Sequence, residues 1–230
     1  MGQKVHPTIF RIGTIYEPNS KWFAKKADYP LQLEQDTKIR KLLDSKFVDA
    51  GVSKIEIKRS SKDIEIIVHT SRPGVIIGRG GTNVEDIKKD IKRKIFGSKK
   101  IKVNINIQEV SKPDLDSQII MQGIIAQLEK RVPFRKAIKR SIEQVKRAGA
   151  KGVKVIVAGR LNGAEIARSE SFSDGSLPLQ TIRADVDYAR GHAATIYGKI
   201  GIKVWIYKGE IFSKEKQDEE KISFRVNDKQ

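Results

Sequence analysis

Cysteine is absent from this chain of 230 residues, so no disulfide framework and no thiolate metal site can form, which fits a reducing compartment. No apolar run is long enough to cross a bilayer. The opening residues lack the apolar core of a secretory signal, and Met-Gly fails the myristoylation pattern because position 6 is His. Histidine occurs only at His6, His69 and His192, without metal-ligand spacing. His69 reads as structural, and His6 as either an RNA contact or simple packing. Asp185 and Asp187 share one face of a predicted strand, and with no further ligands they are expected to pair with cations such as Arg183 or Arg190. The sequence therefore offers no catalytic constellation, no metal site and no cofactor motif.

Negative charge is the other shortage. Lys and Arg number 46 against 28 Asp and Glu, a formal net charge of +18. So large a single-sign excess points to a polyanion, and nucleic acid is the commonest one. A membrane surface is disfavoured, because no lipidation motif or apolar amphipathic anchor accompanies the charge. Residues 211–230 carry five cations and five anions, so the whole excess belongs to residues 1–210. Binding is expected from folded surface, and the neutral tail 211–230 is expected to be disordered.

Along the chain, residues 1–20 have no clear period and read as an extended arm. Ile39, Leu42, Leu43, Phe47 and Ala50 have helical spacing, stopped by Gly51. Ile55 and Ile57, then Ile64, Ile66 and Val68, alternate with polar residues as two strands joined by a polar turn at 59–62. Arg72-Pro73-Gly74 breaks the chain before a short apolar turn. Gly78-Arg79-Gly80-Gly81 follows, and Thr82 with Glu85 has the spacing of a capping box that starts a helix. Val84, Ile87, Ile91 and Ile95 form the buried stripe of that helix, and Gly97 ends it. Ile101, Val103, Ile105 and Ile107 then alternate strictly with polar residues, the clearest strand in the chain. Ser111-Lys112-Pro113 reads as a linker. Beyond it, helices are predicted near 114–131 and 134–148. Strands are predicted near 153–159, 168–173, 181–190 and 202–207, with a short helix near 193–199. Trp205 and Tyr207 share a strand face opposite Ile202, Val204 and Ile206, where packing is favoured over base stacking.

Two features carry the binding chemistry. Gly78, Arg79, Gly80 and Gly81 let another backbone approach closely, ahead of a helix that aims free N–H groups and its positive end at the same place. The loop fits neither a dinucleotide fingerprint, which needs a glycine where Asn83 stands, nor a Walker loop. The second feature is the helix 134–148. On a wheel of about 100° per residue, Arg135, Lys139 and Lys146 fall within about 40°, and Lys136, Arg140 and Arg147 extend the arc to about 140°. Ile138, Ile142 and Val145 are assigned to the opposite side, and Glu143 is the only anion within the arc. Lys130 and Arg131 add charge just upstream. A solvated helix face usually mixes signs, so this one is expected to meet a polyanion.

The order helix, strand, strand, helix, glycine loop, helix, strand resembles a type II KH domain (α-β-β-α-α-β), in which Gly78-Arg79-Gly80-Gly81 would be the GxxG element that clamps nucleotide backbone. Ile76, Ile77, Val84 and Ile87 would form the apolar side of its groove. The resemblance continues through M-G-Q-K-V-H-P at the start, G-R-L-N-G-A-E-I-A-R-S-E from Gly159, R-A-D-V-D-Y-A from Arg183 and Y-G-K-I-G-I-K-V-W-I-Y-K-G-E from Tyr197. Together these are similar to the bacterial-type small ribosomal subunit protein three family.

That resemblance implies an α+β chain: an arm over 1–20, a KH domain over 21–110, and a C-terminal α/β sandwich-like domain with a mainly antiparallel sheet over 111–210. It further implies a place in the head of the small ribosomal subunit, in the cytoplasm or in an organelle stroma or matrix if organelle-encoded. The implied partners are ribosomal RNA, messenger RNA and the neighbouring head proteins ten and fourteen, with no membrane and no enzymatic activity. The family motif F-R-R-A-x-K-R stands here as Phe134-Arg135-Lys136-Ala137-Ile138-Lys139-Arg140. Arg135, Lys136 and Lys139 would then be the cations that unwind incoming message, with Lys130, Arg131, Arg140, Lys146 and Arg147 as further RNA contacts. Lys136 replaces an Arg of the motif, keeping the charge but losing the planar fork. The residues alone leave a free-standing KH regulator, or a strand-cleaving lyase using a lysine, as alternatives.

Overall fold

The computed structural model of the chain describes residues 4–60, 63–78, 81–97 and 101–212. It contains two four-stranded sheets, each with helices against one face. In the first half, α1 (Pro7–Phe10) and β1 (Ser20–Lys21) lead into α2 (Tyr29–Lys46), β2 (Val52–Arg59) and β3 (Asp63–Thr70). Then come α3 (Pro73–Ile77), α4 (Thr82–Ile91) and β4 (Lys102–Glu109). The sheet order is β1-β2-β3-β4, with β2 antiparallel to β3 and β3 parallel to β4. Alternation decides which side is buried. Ile55, Ile57, Ile64, Ile66, Val68, Val103 and Ile105 turn to one side, where they meet Ile39 and Leu43 of α2 and Ile87 and Ile91 of α4. Each such apolar side chain contributes about 1.5–3 kcal/mol when fully buried. After α4 the chain makes one π-helical turn over Lys92–Phe96, and Phe96 joins this core.

The second half starts with α5 (Ser117–Glu129) and α6 (Phe134–Arg147). Four strands follow: β5 (Gly152–Gly159), β6 (Arg168–Gly175), β7 (Ala184–Thr195) and β8 (Gly198–Glu210). Their order is β6-β5-β8-β7, antiparallel throughout. Val153, Val155 and Val157 pair across from Ile206, Val204 and Ile202, so all six point at α5 and α6. This is the α+β architecture expected, with a KH order in the first half and an antiparallel sheet in the second.

Several expectations are corrected. The helix read from Ile39, Leu42 and Leu43 begins earlier, at Tyr29, because Tyr29, Leu31 and Leu33 stay exposed and leave no buried period to read. The helix read from the Thr82–Glu85 spacing does start at Thr82, with Gly81 in the left-handed region as its N-cap. The helix predicted near 193–199 does not form. β7 runs through Thr195 and pairs with Gly198 across a two-residue tip, Ile196-Tyr197. Ala193 and Ile200 face the core there, so strand pairing overrides a locally helical composition. The turn residues Ser61 and Lys62 and the tail from 213 onward lie outside the described residues.

The largest correction concerns the arm, whose described residues 4–20 are docked on the rest of the chain. Arg11 is 0% exposed. Its guanidinium donates to the carbonyls of Ala184 at 2.6 Å, Pro7 at 2.9 Å, Thr181 at 2.9 Å, Leu179 at 3.0 Å and Pro178 at 3.3 Å. Tyr16 donates to Asp185, so that carboxylate is held by the arm and not by Arg183, which pairs with Glu210 at 2.7 Å. Burial and Asp185 raise the Tyr16 pKa, keeping its hydroxyl a donor. His6 packs edge-on to Tyr188 at 4.7 Å, which resolves its role as packing. Further along, Asp36 on α2 is buried and accepts from Arg59 Nε at 2.8 Å, Trp22 Nε1 at 2.8 Å and Ser20 Oγ at 3.2 Å.

The two halves meet at the start of α5. Asp116 caps that helix through the N–H groups of Gln118 (2.9 Å) and Ile119 (3.1 Å), and its other oxygen accepts from Ser53 of β2. Asp187 accepts from the N–H of Ser117 at 2.8 Å and lies 4.0 Å from Lys208. Gln122 donates to Val52 O at 3.0 Å.

Two outcomes follow from these contacts. Arg11→Ala leaves buried carbonyls unpaired and is expected to cost about 3 kcal/mol or more, read as a lower urea midpoint and faster proteolysis of the arm; Arg11→Lys recovers only part, because an ammonium has three donors. At Asp116, burial and then Asp187 raise the pKa above its unfolded value. The folded form therefore holds the proton more tightly, and stability falls as pH rises through that window. Asp116→Asn keeps a good cap. It is expected to equal or exceed the parent in stability at pH 7 and to lose that advantage toward pH 3 in a urea series.

Candidate nucleic-acid interface

The basic helix is held by one face and open on the other. Phe134, Ala137, Ile138, Ser141 and Val145 of α6 are buried, while Arg135, Lys136, Lys139, Arg140, Lys146 and Arg147 are exposed. Ile142 is only half-buried, at the boundary of the cationic arc and not opposite it. Phe134 and Ser141, which the sequence reading left unassigned, complete the packed side. Phe134 meets Phe172 of β6 with ring centroids 6.4 Å apart.

Glu143 is not the only anion at this surface. Glu170 and Asp174 of β6 flank Phe172 on the same strand face and come up beside α6. Glu170 lies 3.4 Å from Arg135 and 2.9 Å from Arg168, and Asp174 lies 2.8 Å from Lys146. Arg147 sits 4.0 Å from Glu143. The Arg168 and Arg135 guanidiniums hold the Glu170 carboxyl below its usual range. Among the described residues Lys136, Lys139 and Arg140 have no ion pair, so three cations of the arc stand unneutralised. The signal for the anions was present in the sequence: Glu170, Phe172 and Asp174 share strand parity, so an apolar residue directed at a helix carries its acidic neighbours with it.

Lys130 and Arg131 are exposed at the turn between α5 and α6, and Arg131 takes a left-handed backbone (φ 61°) that non-glycine residues seldom adopt. A cavity of about 440 Å³ opens beside this turn, lined by Arg131, Phe134, Arg160 and Tyr197 among others. Arg160 lies over the Tyr197 ring, 5.7 Å from its centroid. The sequence reading did not single out Arg160.

At the glycine loop, Gly78 has φ 70° and Gly81 φ 77°. A Cβ on Gly78 would lie 2.4 Å from the Asn83 side chain, so that glycine is required for closeness as well as for backbone shape. Arg79 and Gly80 lie outside the described residues. The expected groove wall is redistributed. Ile76 and Ile87 are core residues, whereas Ile77 (40% exposed), Val75 (50% exposed) and half-buried Val84 supply apolar surface. Among the described residues no group of three or more His, Asp or Glu could hold a metal, and no helix is long and apolar enough to cross a membrane. Burial, then Lys54, lowers the His69 pKa, as befits a structural histidine.

Comparison with known proteins gives two family matches, "KH domain" over residues 38–115 and "Ribosomal protein S3, C-terminal domain" over residues 124–206. Relatives named small ribosomal subunit protein uS3 match nearly the whole chain. The Enterococcus faecalis protein is 51% identical over 219 residues, 95% of this chain and 98% of the relative. That of Xanthomonas campestris pv. campestris is 50% identical over 224 residues, 95% of this chain and 90% of the relative. That of Caldicellulosiruptor saccharolyticus is 50% identical over 211 residues, 92% and 94%.

The β6 anions generate a test. Glu170→Gln frees Arg135 and Arg168 together. It is expected to strengthen RNA binding at low salt and to steepen the slope of log K against log salt by about 0.7–0.9 for each cation that then reaches a phosphate, measured by fluorescence anisotropy over a salt series.

Proposed function

The chain belongs to the small ribosomal subunit protein uS3 family, and on that premise we propose that it is built into the head of the small subunit, binds ribosomal RNA there and lines the channel by which messenger RNA enters. The observation that carries the message-handling role is the helix α6. Its apolar face is locked into the core, while Lys136, Lys139 and Arg140 stand exposed with no ion pair among the described residues. Arg135 joins them: an exposed ion pair such as Arg135–Glu170 is worth little, so the guanidinium exchanges carboxylate for phosphate at small cost.

The mechanism is electrostatic. As translocation pulls the message in, a paired stem must pass a row of cations that cannot retreat. Each phosphate held on one strand favours the separated form over the duplex, and no bond is made or broken by the protein. The Gly78–Gly81 loop supplies a second backbone grip in the first half. A free-standing regulator would need only that half, whereas the family likeness runs through both. Neighbouring head proteins, ten and fourteen by family resemblance, are proposed as protein contacts. Exposed Ile166 and Ile196 give apolar surface for such contacts. The compartment proposed is the cytoplasm.

Ribosomes carrying Arg135→Ala, Lys136→Ala and Lys139→Ala together are expected to translate unstructured messages at the parental rate. They should stall longer at stable hairpins, by roughly threefold, or about 0.65 kcal/mol on the barrier. Equal rates on both messages would remove the unwinding role while leaving membership of the subunit intact.

A further inference from the structure

We propose that the face of the second sheet turned away from α5 and α6, beyond the part of β7 that α1 and the arm cover, is an RNA surface in its own right, holding the phosphates of a ribosomal RNA strand on the side of the sheet opposite α6. The proposal rests on the uS3 reading and adds a location to it. Register fixes what this face carries. One cross-strand row reads Ser173, Lys154, Trp205, Tyr188, and the next reads Ser171, Ile156, Lys203, Arg190. Lys203 and Arg190 are direct partners in the β7–β8 ladder, and Lys154 lies one row away on the neighbouring strand.

Like charges placed directly opposite each other destabilise a sheet. Here the cost is not relieved from within: none of Lys154, Arg190 or Lys203 has an ion pair among the described residues. The carboxylates of the same strands are directed elsewhere. Glu170, Asp174 and Asp187 have the opposite parity and meet Arg135, Lys146 and the Ser117 N–H on the helix side. Asp185 is held by Tyr16, and Glu210 by Arg183. Strand alternation thus leaves Lys154, Arg190 and Lys203 on the far face, while the strand carboxylates Glu170, Asp174 and Asp187 lie on the helix side. The field of Arg190 reaches the arm at the edge of this patch, where, after burial, it lowers the pKa of His6.

The chemistry favours nucleic acid over an acidic protein. Protein interfaces centre on exposed apolar and aromatic anchors, whereas Ile156 and Trp205 are half-buried here and the outward groups are ammonium, guanidinium and hydroxyl. Those are the groups that hold phosphate and ribose. Four strands at about 4.8 Å spacing give a platform roughly 14 Å wide, enough to seat a backbone strand. Placed so, the rRNA strand would brace the sheet from behind while α6 meets the moving message in front.

The absence of cysteine makes the test direct, because Ser171→Cys introduces the only thiol. An iron chelate tethered there, in small subunits reconstituted with the full chain, generates hydroxyl radicals at this face. Cuts in ribosomal RNA close to the tether are expected; no cuts, or cuts confined to a protein neighbour, would overturn the proposal. Independently, the full chain carrying Lys154→Gln, Arg190→Gln and Lys203→Gln should bind small-subunit RNA with a salt slope lower by about two, from 0.7–0.9 per contact. An unchanged slope overturns the proposal as well. Failure of the unsubstituted chain to sediment with small subunits would strike the uS3 reading instead, so the two failures are distinguishable.

Discussion

The period-two alternation of an antiparallel sheet governs the second half of this protein. Once Val153, Val155 and Val157 on β5 and Ile202, Val204 and Ile206 on β8 turn toward the helices, every residue between them must turn away. Lys154 and Lys203 are outward because their neighbours are inward. The same rule places Glu170 and Asp174 beside α6, since Phe172 between them packs on Phe134. Charge on this protein is therefore arranged by packing. A one-residue slip would bury Lys154 and Lys203 and expose the valines, and the hydrophobic loss alone makes that register inaccessible.

The same constraint explains how a chain of net charge +18 stays folded. Self-repulsion destabilises a compact state, and here the cations are spread over exposed faces while the buried charged groups are fully bonded. Arg11 satisfies its donors on backbone carbonyls, and Asp36 is shared by Arg59, Trp22 and Ser20. Those two sites also tie residues near the start of the chain to both halves, so the arm works as a strap. α1 and Tyr16 lie on the second sheet, and Ser20–Lys21 adds a short parallel strand to the first.

How much of this was legible depends on how far the deciding contact lies along the chain. β4 was readable from four alternating isoleucine and valine positions, and the core stripe of α4 from its spacing, because both patterns are local. The cations of α6 were readable as well. Arg11 was not: all its partners but Pro7 lie in the 178–184 segment, and nothing near Arg11 distinguishes it from a solvated arginine. The tip of the β7–β8 hairpin carries Ile196-Tyr197 in place of the Asn-Gly type that announces such turns. Parity put Glu170 and Asp174 on the face of Phe172, but that this face meets α6 needed the pairing of β6 with β5, which no local pattern contains. The groove wall at the glycine loop failed for a related reason. Ile76 and Ile77 are adjacent and equally apolar, and only the helical turn of α3 decides that the first is core and the second surface.

In the role we propose, cations that resist a pulling strand need stiffness behind them, and α6 obtains it from the sheet. A lysine on a loose segment would follow the strand and do no work on the duplex. On α6 each cation rises from a helix whose opposite side is fixed by Phe134, Ile138 and Val145. Displacing it by even one helical turn would expose side chains worth about 1.5–3 kcal/mol apiece. A few phosphate contacts cannot supply that much, so in the proposed role the strand would give way under load before the helix does. The partial neutralisation of the arc at one edge, by Glu170 and Asp174, would act in the same direction in that role: it would limit how tightly the strand is held and so keep it able to move on. A fully unpaired arc would bind more strongly and release more slowly, which would be the wrong balance in the message-handling role we propose.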